Sequence, residues 1–226
     1  MTKEKIVLSY SGGKDSTALL LGLKERGEMP DKIVFADTLM EFPEMYAFIE
    51  KVEKYIGQPI IRTEPDNNFF EWFFGKFTRG KLEGQIRGFP YTIGTCWYQR
   101  EAKVNPMKPY TDSADVVYIG YCYGENRSRK EKKYVYPLKE WKWTEKKCRQ
   151  VCKEHGLLNP LYEKFDRLGC WMCPKQGRKA LKVIQRDYPS HWNIIKQLEK
   201  ISPNGFGLND TSNLPRDIFT WIGDSK

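Results

Sequence analysis

The chain has 226 residues, 40% of them hydrophobic and 30% charged, with a formal net charge of +9 at pH 7. This composition indicates a globular protein with a sizeable core, and it excludes a membrane-spanning chain because no apolar run is long enough to cross a bilayer. The segment MTKEK leads into a strand without the apolar core of a signal peptide, so we expect a cytoplasmic protein. In that compartment, six cysteines indicate metal binding, catalysis or burial rather than disulfides.

Strand and helix signals alternate along the first part of the chain. The predicted elements are strands over 5–9, 32–35, 59–62 and 116–119, and helices over 16–25 and 43–55. This alternation predicts right-handed crossovers and an α/β fold with a doubly wound parallel sheet, of the adenine nucleotide alpha-hydrolase-like kind. Ligands of such sheets bind at the carboxyl ends of the strands.

The later part of the chain is predicted to be helical. Thr144 caps a helix over 145–155, and further helices fit 176–186 and 190–201. We therefore expect a nucleotide-binding α/β domain over 1–140 and a helical, cysteine-bearing region over 141–226. Residues 66–91, rich in aromatics and glycines, permit no assignment. They form either a segment that covers a substrate or, as we favour, an aromatic insertion into the core.

A glycine-rich turn follows the first predicted strand, in the stretch VLSYSGGKDST. A strand, such a turn and a helix start aim backbone N–H groups and a positive helix end at one volume, which suits a phosphate. The glycines let the backbone approach the anion, and Lys14 adds a positive charge. The candidate ligands are Ser9, Ser11, Gly12, Gly13, Lys14, Asp15, Ser16 and Thr17. A turn without a ligand is the alternative.

The spacing of this turn matches neither a Walker A loop nor a Rossmann G-x-G-x-x-G. The order Ser-Gly-Gly-Lys-Asp-Ser instead resembles the PP-loop of ATP pyrophosphatases, which grips the pyrophosphate of ATP or the phosphosulfate end of an adenylated sulfate. The resemblance implies one of these adenine nucleotides as ligand, with Mg²⁺ as an accompanying ion, and it implies that Lys14 and Asp15 take part in the reaction.

Two other strand ends carry candidate site residues. Asp37 and Thr38 follow the second strand, where a carboxylate accepts from an adenine amino group or a ribose hydroxyl, although capping of the next helix fits the position equally well. The strand over 116–119 is followed by a glycine turn. The candidates in that turn are Gly120, Glu125, Arg127 and Arg129. Guanidinium groups suit bidentate binding of phosphate or sulfate, and an exposed charged turn is the alternative.

A C-x-x-C motif lies in the C-terminal region. Cys170 and Cys173 are set in a tight turn that aims two thiolates at one metal or cluster. One pair is half a site, so further ligands must come from the other cysteines. Cys148 and Cys152 lie at i and i+4 on one helix face. That spacing could chelate a metal, but we favour core packing. The remaining two cysteines are Cys122, which follows a strand end, and Cys96, which lies in a polar loop.

Most of the excess positive charge lies in one band. Residues 126–153 hold eleven Lys or Arg against three Glu, with two tyrosines and two tryptophans among them. Such a band can follow a phosphate backbone and stack bases, which makes nucleic acid a candidate partner. A solvated helix face with ordinary core aromatics is the alternative.

Six ordered motifs resemble the phosphoadenosine phosphosulfate reductase family. They are SGGKDS at 11–16, Asp37 with Thr38, Cys96 ahead of KVNP at 103–106, Gly120 with Glu125 and a nearby arginine, YPL at 136–138, and the segment over 155–174 that runs from HGLLNPLY to RLGCWMCP. The resemblance covers roughly residues 1–178.

The resemblance implies sulfur chemistry on an adenylated substrate. Sulfonucleotide reductases of the family attack with a cysteine in a C-terminal E-C-G-I/L-H tail, and LPRDIFTWIGDSK holds no cysteine. DNA phosphorothioation enzymes of the family, and more distant tRNA thiolases, insert sulfur into nucleic acid. We therefore expect ATP-dependent sulfur transfer to DNA or tRNA, with a sulfur donor such as a cysteine desulfurase.

The same resemblance implies a 4Fe–4S cluster on three cysteines, which leaves one iron open to carry sulfur. Cys96, Cys170 and Cys173 suffice for that cluster, with Cys122 as a fourth candidate, and we expect these cysteines to converge over the PP-loop. Two other functions stay open: a sulfonucleotide reductase, and a nucleotide-binding relative whose C-x-x-C holds structural zinc. The oligomeric state is not indicated.

Overall fold

The computed structural model of the protein describes residues 4–92, 95–173 and 175–203. The strands of this part of the chain are Ile6–Tyr10 (β1), Lys32–Ala36 (β2), Ile60–Thr63 (β3), Tyr91–Thr92 (β4), Thr95–Cys96 (β5), Val116–Ile119 (β6) and Tyr134–Val135 (β7). Its α-helices are Lys14–Arg26 (α1), Pro43–Ile56 (α2), Phe69–Phe74 (α3), Asn105–Asp112 (α4), Pro137–Glu140 (α5), Glu145–Glu154 (α6), Arg178–Asp187 (α7) and Pro189–Ile201 (α8). None of these helices is both long and apolar enough to cross a bilayer.

Five strands form one parallel sheet in the order β3-β2-β1-β6-β7. Leu8 of β1 lies opposite Ile33 of β2 on one side and Tyr118 of β6 on the other. The strand order therefore reverses between β1 and β6, and the carboxyl ends of these two strands flank the position where such sheets bind ligands. The predicted doubly wound parallel sheet is confirmed.

The apolar sequence of the central strands explains their position. Val7 and Leu8 of β1 and Ile33 and Val34 of β2 are buried, as expected for strands of a parallel sheet that are covered on both faces. Helix α2 places its apolar residues at helical spacing and buries that stripe. Helix α1 ends at Gly27, whose left-handed backbone lets its N–H bond the last carbonyls of the helix.

The predicted helices of the C-terminal region are confirmed, with small differences at their ends. Thr144 caps α6, because its hydroxyl accepts from the N–H of Lys147. The structure also shows α3, which the sequence analysis left unassigned. Asn68 and Glu71 form a capping box at its start. The aromatics of this segment pack as favoured, since Phe69 and Phe73 are buried and their rings are in contact.

The chain divides into two compact units. The first comprises Met1–Asp37, Phe42–Glu64 and Asn105–Tyr162, and the second comprises Thr38–Glu41, Pro65–Val104 and Glu163–Lys226. The predicted division was a single cut near residue 140, whereas each of these units takes three segments of the chain. The first unit carries the parallel sheet, and α6 belongs to it because that helix packs on α1.

Candidate functional site

The glycine-rich turn of the first unit joins β1 to α1, and hydrogen bonds close it. The N–H of Ser11 donates to Oγ of Ser16 over 3.2 Å, and the two hydroxyl oxygens lie 2.9 Å apart. The hydroxyl of Ser16 also donates to the carbonyl of Gly13 over 3.1 Å. Residues 11–16 therefore form one hydrogen-bonded turn at the start of α1, and the positive end of a helix suits an anion.

Gly12 is required in this turn for two reasons. Its φ of +69° lies in the left-handed region, which favours glycine. A Cβ at this position would also lie 2.3 Å from Sδ of Met45, so any side chain there would force the buried Met45 side chain to move. The first of the two glycines in SGGKDS thus serves close packing as well as backbone conformation.

Two residues far along the chain support the turn. The side-chain amide of Asn159 donates to the carbonyl of Gly12 over 3.0 Å and is itself buried. The N–H of Lys14 donates to the hydroxyl oxygen of Tyr162 over 3.1 Å. Both residues belong to the motif HGLLNPLY, which the sequence analysis quoted without giving them a role. The motif was therefore the sequence feature that could have indicated these two supports of the turn. The side-chain amide of Asn159 and the phenol of Tyr162 each form a hydrogen bond with it.

Lys14 and Asp15 form a small charge network. The Lys14 ammonium lies 3.0 Å from Oδ2 of Asp15 and 2.8 Å from Oε2 of Glu145. Burial lowers the pKa of Lys14, but the Glu145 and Asp15 carboxylates outweigh it and raise the pKa above its usual value. Lys14 therefore stays charged over the physiological pH range, as a phosphate ligand must.

A cleft of about 270 Å³ opens beside this turn. It gathers eight of the predicted site residues with two neighbours from the β6 end. Its lining residues are Ser9, Ser11, Asp15, Ser16, Ile119, Gly120, Tyr121, Glu125, Arg127 and Arg129. Gly120 lies especially close to α1, because a Cβ there would be 3.0 Å from both Cα and N of Ser16. The cleft therefore lies at the predicted end of the sheet, between the β1 turn and the β6 turn.

The segment that follows β6 is held in place by its neighbours. Glu125 accepts the N–H of Cys122 on its carboxylate over 2.8 Å. The ammonium of Lys139 donates to the carbonyls of Glu125 and Arg127 over 2.9 Å and 2.6 Å. The guanidinium of Arg129 lies over the ring of Tyr134, 4.8 Å from its centroid. These contacts fix the backbone of the charged turn while the two arginines remain exposed.

Asp37 and Thr38, adjacent in the chain, belong to different units. Asp37 is buried in the first unit and accepts the hydroxyl of Tyr46 over 3.0 Å. Helix α2 has Phe42 at its N-cap, so Asp37 does not cap that helix. In the second unit, the hydroxyl of Thr38 donates to Oε1 of Glu41 over 3.0 Å. Glu41, which no motif of the sequence indicates as a site residue, is buried although its side chain is polar.

Three of the predicted metal ligands lie in the second unit. Cys170 donates its thiol hydrogen to the hydroxyl of Thr38 over 3.3 Å, and the N–H of Cys173 donates to the carbonyl of Cys170 over 3.0 Å. Cys96 interacts electrostatically with Cys173, and the ammonium of Lys103 interacts with all three thiols. The structure therefore brings Cys96, Cys170 and Cys173 into one neighbourhood, the unit 2 cysteine group.

Two thiols of this group, those of Cys96 and Cys170, have pKa values above the usual range. Burial raises the pKa of Cys96. Burial together with the Glu41 carboxylate raises the pKa of Cys170 to about 12. Lys103 opposes this effect, and its ammonium also lies 3.8 Å from Oε1 of Glu41. A soft metal would bind these sulfurs as thiolates and would displace their protons.

The fourth predicted ligand, Cys122, lies in the first unit with two other cysteines. Its sulfur is 3.2 Å from Oδ1 of Asp15 and 3.6 Å from the sulfur of Cys148. Cys152 donates to the carbonyl of Lys14 over 3.2 Å. All three cysteines are buried. The structure thus gathers Cys122 and Cys148 beside Asp15 in the first unit.

Comparison with known proteins identifies the family. The model of the phosphoadenosine phosphosulfate reductase domain matches residues 5–176. An uncharacterized protein of Methanocaldococcus jannaschii is 30% identical over 221 residues, which cover 86% of this chain and 42% of that protein. Sulfate adenylyltransferase subunit 2 of Pseudomonas putida is 28% identical over 151 residues, which cover 63% of this chain and 44% of that protein. The chain thus spans less than half the length of these two relatives.

A solved structure is similar in fold. Phosphoadenylyl-sulfate reductase from Candida auris, in a phosphate complex, aligns with a TM-score of 0.55 and 17% sequence identity. The alignment covers 75% of this chain and 83% of the reductase. The residues that match the family model, 5–176, include the SGGKDS turn and all five strands of the parallel sheet. The chain belongs to the phosphoadenosine phosphosulfate reductase domain family.

Proposed function

We propose that the protein is a PP-loop enzyme that uses ATP to activate an oxygen of a nucleic acid and then replaces that oxygen with sulfur. The observation that carries the proposal is the cleft, in which the SGGKDS turn and two arginines line one volume. Because the chain spans less than half of the two curated relatives described above, the substrate and partners of the whole protein belong to this proposal.

The cleft supplies the groups that a nucleotide triphosphate needs. The start of α1 offers N–H groups and hydroxyls to the phosphates, and Arg127 and Arg129 offer guanidinium groups that bind phosphate in a bidentate manner. Lys14 is paired with Glu145 in the structure, and we expect it to exchange that carboxylate for a phosphate oxygen. An adenylated substrate is supported by the family, which is named after phosphoadenosine phosphosulfate, and by the relative named as a sulfate adenylyltransferase subunit.

The reaction proceeds in two displacements. An oxygen of the acceptor attacks the α-phosphate of ATP, and pyrophosphate leaves. Hydrosulfide then attacks the activated carbon or phosphorus, and AMP leaves with the original oxygen. Where a donor protein such as a cysteine desulfurase supplies the sulfur as a persulfide, a dithiol reductant provides the two electrons that release it as hydrosulfide and is itself oxidised to a disulfide. Arg127 and Arg129 of the cleft stabilise the negative charge that moves onto the leaving phosphates. Lys14, which lies in the turn itself, adds a further positive charge.

The unit 2 cysteine group fits an iron–sulfur cluster. Its donors are thiols, which iron–sulfur clusters prefer, and all three cysteines are partly buried. Bound by Cys96, Cys170 and Cys173 alone, a 4Fe–4S cluster would offer an open iron from which sulfur is delivered. Lys103 would offset part of the negative charge of three thiolates. The hydrogen bond from the N–H of Cys173 to the carbonyl of Cys170 closes the turn that carries both thiols.

The spacing of the sulfurs favours a cluster over a single zinc ion. One tetrahedral zinc holds its thiolates about 3.8 Å apart, because each Zn–S bond is about 2.3 Å long. Within the described residues, the sulfurs of Cys96, Cys170 and Cys173 do not all lie within 4.8 Å of one another. A cluster binds each thiolate through a separate iron, so it accepts the wider spacing.

The choice of nucleic acid as acceptor rests on exposed charge. Arg127, Arg129, Lys130 and Lys132 are exposed around the end of the cleft or along the turn that leads from it. Aromatic side chains of the basic band already contact other residues of the first unit. The Arg26 guanidinium lies 3.9 Å from the ring centroid of Trp141, and the ring of Tyr136 stacks on that of Tyr121. Phosphate contacts by the exposed cations therefore carry the proposed affinity, and base stacking adds little.

A charge reversal tests this surface. We expect Lys130→Glu with Lys132→Glu to weaken tRNA or DNA binding at low salt by about tenfold or more, and to flatten the dependence of log K on log salt by roughly two phosphate contacts. Fluorescence anisotropy at several salt concentrations measures both effects. The matched control is Lys5→Glu with Lys54→Glu, which reverses two exposed lysines outside the basic band. Equal losses in the two double variants would contradict a specific surface.

The function itself is tested by product analysis under anaerobic conditions. The chain is incubated with ATP, a sulfide source and tRNA or DNA, and the digested nucleic acid is examined by mass spectrometry. We expect thiolated nucleosides or phosphorothioate linkages, with one AMP and one pyrophosphate released for each sulfur. The reductase function would replace this one under two conditions: the rate of AMP release does not depend on nucleic acid, and the protein forms sulfite from an adenylated sulfate and a dithiol reductant.

A further inference from the structure

We propose that Asp15, Cys122 and Cys148 form a second metal site, made from residues of the first unit only, that binds one zinc or a similar soft divalent ion. In the part of the chain that the structure describes, this group alone brings three potential metal-binding side chains within 4.8 Å of one another. The site shares no residue with the unit 2 cysteine group.

The distances within the group match those around one tetrahedral zinc ion. The Cys122 and Cys148 sulfurs are 3.6 Å apart, and two thiolates on one zinc lie about 3.8 Å apart. Oδ1 of Asp15 is 3.2 Å from the Cys122 sulfur, and a carboxylate oxygen and a thiolate on one zinc lie about 3.5 Å apart. These two distances differ from those of a zinc site by only a few tenths of an ångström, and the third pair, Asp15 and Cys148, lies within 4.8 Å.

Charge and orientation agree with this assignment. The two oxygens of Asp15 have different partners: Oδ2 faces the Lys14 ammonium at 3.0 Å, and Oδ1 faces the Cys122 sulfur. Zinc with two thiolates and one carboxylate carries a net charge of −1, which the Lys14 ammonium balances. The N–H of Cys122 is held by Glu125, so the residue is fixed in place before an ion arrives.

The site would connect three parts of the first unit. Asp15 lies in the first turn of α1, Cys122 follows β6, and Cys148 lies in α6. Both cysteines are buried, whereas Asp15 lines the cleft. The three side chains would leave the fourth position of a tetrahedral ion to water or another ligand. The ion would hold the aspartate of SGGKDS in place and would thereby link metal binding to nucleotide binding.

Binding is an exchange of protons for metal. Each thiol loses its proton on binding Zn²⁺, so the reaction releases two protons for each ion and involves no oxidation or reduction. Packing of two thiols and a carboxylate through hydrogen bonds is the competing explanation for the same distances. The two explanations differ in whether the loss of either sulfur changes the affinity for metal.

The test uses a full-length background that lacks the other site. In the variant Cys96→Ser with Cys170→Ser and Cys173→Ser, we expect about one Zn²⁺ to bind for each chain, with about two protons released, as measured against a chromophoric chelator and a pH indicator. Adding Cys122→Ser or Cys148→Ser removes a ligand and lowers the zinc affinity by more than the 10–100-fold typical of an outer-sphere change.

Cys152→Ser is the matched control, because Cys152 is equally buried and lies on the same helix as Cys148 but outside the group. It should leave zinc affinity unchanged. If the background variant binds no zinc, or if all three added substitutions act alike, the sulfurs only pack and the proposal fails. Should the background variant not fold, as judged by circular dichroism, the comparison moves to the wild-type chain loaded with Co²⁺. There the sulfur-to-cobalt absorption must fall with Cys122→Ser and Cys148→Ser but not with Cys152→Ser.

Discussion

Lys14→Ala should weaken binding of ATP by about 10- to 150-fold. The substitution removes an ammonium group that we expect to contact a phosphate, and a hydrogen bond to a charged group contributes roughly 1.5–3 kcal/mol, with each 1.4 kcal/mol equal to a tenfold change. Lys14 is only 14% exposed and is held beside the turn by Asp15 and Glu145, so its charge is already in place before the nucleotide binds. Isothermal titration calorimetry with a non-hydrolysable ATP analogue measures the loss.

The matched control is Lys24→Ala. Lys24 lies in the last turn of the same helix, where it donates to the carbonyl of Tyr55 rather than facing the cleft. Its loss should leave nucleotide affinity unchanged. The melting temperatures of both variants show whether either substitution lowers the stability of the folded protein. Unchanged affinity in a folded Lys14→Ala protein would contradict the assignment of the PP-loop as the nucleotide site.

The turn itself was predictable because its chemistry is local. A strand, two glycines, a lysine and a helix start follow one another within eleven residues, so the sequence contains the whole anion-binding turn. The parallel sheet followed from the alternation of strands and helices for the same reason. The supports of the turn were not predictable in this way. Asn159 and Tyr162 reach it across 147 and 148 residues, and only the fold brings them there.

The cysteines show the same limit. The spacing of Cys148 and Cys152 placed both on one face of a helix, and the structure has them there, buried. Spacing could not reveal that Cys122 meets Cys148 at 3.6 Å, because that contact depends on how α6 packs in the first unit. Short strands are equally hard to predict: β7 has two residues, too few for a period of two to be recognised.

Cys170→Ser and Cys173→Ser should each remove most of the iron from the anaerobically purified protein, from about four atoms for each chain to near zero. The physical reason is the donor set. Three thiolates are the fewest that hold a 4Fe–4S cluster through protein ligands while leaving an iron open, and a serine hydroxyl is a harder donor that does not replace a thiolate. Sulfur transfer should be lost with the iron, whereas nucleotide affinity should survive because the cleft residues belong to the first unit.

Iron, acid-labile sulfide and zinc are measured on the same samples, so that each metal is assigned to its cysteines. Cys152→Ser should keep its iron, and Cys122→Ser should keep its iron while losing zinc, because the structure places Cys122 beside Asp15 and Cys148. Lys103→Met adds a second test. The ammonium offsets the charge of the three thiolates, so its removal should shift the reduction potential of the cluster to lower values without removing iron. Full iron content in both Cys170→Ser and Cys173→Ser would mean that other residues hold the cluster, and the sulfur-transfer proposal would then lose its chemical basis.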